Sequence, residues 1–165
     1  MATALATGWA VLPASAHPGE RSRALVACAG SAVVRFEPGL TLRTRHSHIS
    51  GWAGYTCTGT DPRITWAKSV IKGGGEAGCV SIDATAVELV TWNTGEHSKV
   101  LYRTRHLVQA AGGEVVSLVE GTVVEGKYEG KSVGSPGAQL TLDPLGCLTD
   151  KGVEVINGPT TLVIT

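Results

Sequence analysis

Beyond residue 16 the chain consists of short apolar or alternating runs, rich in Val, Thr, Leu and Ile, with glycine and proline between them. That pattern is the signature of strands resting one face on a core. It predicts strands over residues 31–36, 41–49, 55–58, 64–71, 79–82, 87–92, 98–108, 114–124, 128–133, 139–142, 153–156 and 160–164. Trp92-Asn93-Thr94-Gly95 and Ala110-Ala111-Gly112-Gly113 have turn chemistry, so Val87 to Val124 is expected to run as an antiparallel meander. No helical period separates these strands, which excludes βαβ units. The expected fold class is all-β, a single antiparallel β-sandwich or flattened meander β-barrel, and the alternation suits either.

The same alternation orients a tetrapeptide, RTRH, that occurs at Arg43 to His46 and again at Arg103 to His106. If the neighbouring Leu, Val and Tyr residues mark the interior, Arg43, Arg45, Arg103 and Arg105 face solvent, while His46, His48 and His106 face inward. Four outward arginines would make a cationic stripe for sulfate, phosphate or an anionic polysaccharide. The plainer role of such charges is to keep an exposed sheet face soluble. His46-x-His48, with His106 from a second strand, has the spacing for imidazoles to converge on a metal. H-x-H at a strand end is more often a solvated edge, and no metal or other cofactor is assigned.

Trp52, Trp66 and Trp92 with Tyr55, Tyr102 and Tyr128 carry most of the aromatic surface, and aromatics with polar tips make ligand platforms where they line a cavity. Trp92 and Tyr102 join His46, His48 and His106 as the candidate pocket residues. Catalytic signatures are missing from the sequence: there is no G-x-S-x-G elbow, and Gly73-Gly74-Gly75 precedes no helical pattern that could cradle a phosphate. Glu114, Glu120, Glu125 and Glu129 read as turn and rim residues, not as a catalytic carboxylate pair.

Length and composition add a compartment. With 165 residues, 42% of them hydrophobic, the chain suits one domain with a real core. Fourteen basic residues balance fourteen acidic ones, so no whole-molecule field draws it to nucleic acid or an anionic membrane. Residues 1–16, MATALATGWAVLPASA, are uncharged and end in an A-x-A site, as a secretory signal peptide does; the missing basic n-region implies a start further upstream. Residues 17–27 are expected to be a flexible segment and 28–165 the single β domain. No other stretch is apolar enough to span a membrane.

Cys28, Cys57, Cys79 and Cys147 contain no C-x-x-C, which disfavours a zinc ribbon and favours disulfides. Three connectivities are possible. The expected one joins Cys28 to Cys57 and Cys79 to Cys147, contributing about 3.6 and about 4.4 kcal/mol by chain entropy. Leu25-Val26-Ala27-Cys28 has the form of a lipoprotein box, but the polar HPGERSRA before it and the odd thiol it would leave argue against acylation.

The stretch CAGSAVVRFEPGLTL, from Cys28 to Leu42, resembles a group of small exported proteins of Streptomyces and related actinobacteria. Cys28, Gly30, Pro38, Gly39, Leu40 and Thr41 match its Cys-x-Gly start and Pro-Gly-Leu-Thr turn. The similarity continues through Tyr55-Thr56-Cys57, Gly78-Cys79, Thr91 to Gly95 before Ser98, Gly121 to Gly130, Cys147 and Gly158-Pro159. It implies export, two disulfides and an all-β domain, with no assigned activity. Gly121 to Gly130 is also similar to the glycine-rich turn of allene-oxide-cyclase-like and other small lipocalin-type barrels.

The expected protein is therefore secreted and disulfide-stapled, a binding or envelope-associated domain without catalysis whose partner is an extracellular or small-molecule ligand. The alternative is a small lipocalin-like barrel enzyme, a cyclase or isomerase acting on a hydrophobic molecule in an apolar cavity.

Overall fold

The structure, a computed structural model, describes residues 23–104, 108–109, 114–116, 119–135 and 139–165. Its strands are β1 (Val26–Leu40), β2 (Arg45–Gly59), β3 (Trp66–Ala77), β4 (Ile82–Trp92), β5 (His97–Thr104), β6 (Val108–Gln109), β7 (Glu114–Val116), β8 (Glu120–Gly126), β9 (Ser132–Gly134), β10 (Gln139–Thr141) and β11 (Val153–Ile164). Every ladder is antiparallel. The order β1-β2-β3-β4-β5-β8-β9-β11 closes through a β1–β11 pairing into an eight-stranded barrel, and β10, β7 and β6 continue from β11 as a side sheet. Of the two architectures the alternation allows, the molecule takes the barrel, which pairs the edges that a sandwich leaves open.

Glycine explains most departures from the expected strands. Residues 45–49 of the second run and the run 55–58 are one strand, β2, that passes through Gly51 and Gly54, and runs 153–156 and 160–164 are one strand, β11, that passes through Gly158-Pro159. At Gly51 the bare backbone admits close approach, since a Cβ there would lie 2.5 Å from the Val33 carbonyl oxygen. A Cβ on Gly30 would lie 1.8 Å from the Gly54 carbonyl oxygen, and one on Gly73 would lie 2.3 Å from that of Thr85. Pro159 pairs with Ser31 and falls between the β10 pairing at Asn157 and the β9 pairing at Val163, where a missing N–H costs least.

Other expectations change as well: residues 79–81 connect β3 to β4 instead of forming a strand, and residues 127–130 are a turn before β9. β4 and β5 form the predicted hairpin, with the Gly95 N–H donating to the Trp92 carbonyl at 2.9 Å, but the next barrel strand after β5 is β8. Residues 114–116 instead pair with β10 and β6, so the expected strand Glu114 to Val124 splits between side sheet and barrel; the turn at 110–113 lies outside the described residues. At the other end, β1 already begins at Val26, fully buried and paired with Ile164, within the stretch 17–27 expected to be flexible. The signal segment 1–16 lies outside the described residues.

Among the described residues the interior holds two apolar clusters. One surrounds Trp92, Val90, Val100, Leu162 and Ile164 and contains Cys28–Cys57, whose cysteines face each other across β1 and β2. The second surrounds Phe36, Leu40, Ile49 and Leu142. There Cys79–Cys147 ties the β3–β4 connection to a 3-10 turn at Gly146–Leu148. Both bridges join the cysteines expected from the sequence.

Candidate functional site

The first RTRH copy straddles a loop and the start of a strand, which sets its phase. Residues 41–44 form a loop and β2 starts at Arg45, so its inward positions are Arg45, Ser47 and Ile49. His46 and His48 therefore point outward, the reverse of the expectation that carried the alternation of Leu40 and Leu42 across the loop. Their rings meet edge to face at 5.9 Å, and His46 Nδ1 lies 3.6 Å from Glu76 Oε1. Arg45 straps loops together at the barrel end: Nε and Nη2 donate to the Gly39 carbonyl at 3.0 and 2.6 Å, Nη2 also to Lys151 at 3.1 Å, and Nη1 to Asp150 at 3.3 Å.

Arg43 is exposed in the loop, and Arg103 is exposed on β5, separated from β2 by β3 and β4. The described arginines thus form no single stripe; Arg105 and His106 lie outside the described residues. Among the described residues no three His, Cys, Asp or Glu side chains are grouped to hold a metal.

Trp92 and Tyr102 are interior residues with partners of their own. The Trp92 indole donates to Ser98 Oγ at 2.9 Å and meets the Tyr128 ring edge-on at 5.7 Å. The Tyr102 hydroxyl donates to Glu88 Oε2 at 2.7 Å, the Tyr55 hydroxyl to Glu88 Oε1 at 3.0 Å, and the Ser69 hydroxyl also to Oε1. Glu88 is 3% exposed, so three hydroxyls replace the water its carboxylate gives up. Burial, and next the facing Glu88, push the Tyr55 and Tyr102 phenols well above their usual range. Sequence reasoning passed over Glu88. Its signal was parity, since in Ala84 to Trp92 it shares the inward phase with Val90 and Trp92.

The outward phase of the same strands carries what the interior does not need. Register places Val33, Trp52, Val70, Leu89 and Lys99 side by side across β1 to β5. Trp52, Val70 and Leu89 are 56, 51 and 45% exposed. Single exposed apolar residues are ordinary, but an aligned row across three adjacent strands is a patch, about 10 Å wide at the usual strand spacing.

Cations border the row. Lys68 and Lys72 flank Val70 along β3, Arg35 is the next outward residue after Val33 on β1, and all three are exposed. At the β5 end Lys99 Nζ lies 3.5 Å from Glu125 Oε2. There the row runs into a groove of about 560 Å³ lined by Val87, Leu89, Thr91, His97, Lys99 and Glu125. An indole face, a short apolar strip, hydroxyls and ammonium groups can bind a ligand with flat apolar faces and negative charge.

No family model, no curated protein and no solved structure matches this chain.

Proposed function

We propose that this protein is exported and acts as a binding domain without catalysis, engaging an extracellular ligand through the outer face of β2, β3 and β4. The observation that carries this reading is the exposed row Trp52, Val70 and Leu89. A closed, twice-bridged barrel fixes the strands that carry the row, which leaves less ordering to be lost on binding. The two disulfides are compatible with an oxidising compartment, and among the described residues no helix is long and apolar enough to cross a membrane. Co-sedimentation with isolated bacterial envelopes tests the reading: the wild-type barrel pellets, and Trp52→Ala combined with Leu89→Thr leaves it in the supernatant. Equal pelleting of both proteins would count against this face.

The barrel-enzyme alternative draws on Glu88, a carboxylate beside two phenols. A substrate there would have to displace hydroxyls that already satisfy it. On the binding reading, Glu88→Gln lowers stability and leaves envelope retention of the folded protein unchanged.

A further inference from the structure

Resting on that reading of the outer face, we infer that its ligand is an acidic polysaccharide, with one sugar ring stacked on Trp52 and anionic groups held by Lys68 and Lys72. The arrangement of charge around the row is the reason. Along β3 the outward residues run Trp66, Lys68, Val70, Lys72, so an apolar site alternates with an ammonium group. Lys68 and Lys72 stand about 13 Å apart with Val70 midway, from the rise of a strand.

A linear acidic glycan has that alternation: apolar ring faces, with charged groups projecting at intervals along the chain. Arg35 adds positive charge at the β1 border of the same face.

Two other occupants fit less well. A bilayer would need an apolar surface deep enough to enter hydrocarbon, whereas this strip is one row deep, lies in the middle of a barrel wall and has a lysine on either side. A second copy docked face to face would bring Lys68 and Lys72 near their own equivalents, like charge to like. The positive charge sought in the RTRH arginines is thus found in two lysines on one strand, β3.

The test uses the folded, oxidised protein and beads bearing polygalacturonate, with dextran beads and phosphatidylglycerol vesicles as comparators. Retention on polygalacturonate is expected, weakened at about 0.5 M salt relative to about 0.05 M as screening shortens the reach of the lysines. Trp52→Ala and the pair Lys68→Gln with Lys72→Gln should each raise the half-retention concentration by about tenfold. Circular dichroism of each variant confirms that these exposed changes leave the barrel folded. Equal retention on dextran, indifference to both variants, or binding to vesicles but not to polygalacturonate overturns the inference. If polygalacturonate fails while envelope co-sedimentation still depends on Trp52, the acidic glycan falls and the binding face stands. If both fail, both fall.

Discussion

Glu88 is the residue on which the barrel interior turns. Its oxygens collect the hydroxyls of Tyr55, Ser69 and Tyr102, so Glu88→Ala strands three buried donors at once. Leaving them unmet is expected to cost about 3 kcal/mol or more, read from urea denaturation. The phenols add a pH dependence with a definite sign. Their pKa values are raised in the folded state, so their contribution is complete below pH ~10 and declines above it, because the unfolded chain then releases protons that the folded one keeps. With both phenols, stability should fall by about 2.7 kcal/mol per pH unit beyond that point. Phenolate absorbance of Tyr55 and Tyr102 should rise only as the near-ultraviolet dichroism disappears; ionisation within an intact fold would contradict it. In the sequence, Tyr102 and Trp92 were legible as candidate residues, but their work is internal. A one-dimensional pattern gives a side chain's phase and not the partner waiting across the barrel.

At the level of elements, the strands were legible and their lengths were not. Period-two runs mark parts of β1 to β5, yet the glycines in β2 and β11 read as breaks; at Gly51 only the neighbouring strand reveals that a backbone approaches there. Gly73→Ala should destabilise by about 1–3 kcal/mol, because its new Cβ meets the Thr85 carbonyl and the Ala86 backbone. Gly54→Ala is the control in the same wall, with nothing within 4 Å of its Cβ, and should change the melting temperature little. Comparable losses in both variants would mean that glycine's role is not steric. The RTRH repeat teaches the same lesson about phase. Four loop residues between β1 and β2 are enough to turn Arg45 inward and His46 outward, the reverse of the phase that Leu40 and Leu42 suggested.

Over the whole molecule, two bridges lock the closed barrel at separate clusters. Mass spectrometry of the untreated protein should show no free thiols, and reduction should add four hydrogens, two per bridge. Replacing Cys79 and Cys147 by Ser should cost more than replacing Cys28 and Cys57, about 4.4 against about 3.6 kcal/mol by loop closure, measured as the shift in thermal unfolding. The reverse order would show that packing, not chain entropy, governs what each bridge contributes.

The sequence by itself determined the all-β class and the presence of a β4–β5 hairpin, because those depend on local alternation and turn residues; of three possible cysteine pairings it offered one choice, which the folded chain settled. Tertiary structure alone decided closure into a barrel, the burial of Glu88 under three hydroxyls, and the alignment of Trp52, Val70 and Leu89 between lysines. Each of these depends on register between strands, and register is set by which apolar faces can be buried together in three dimensions.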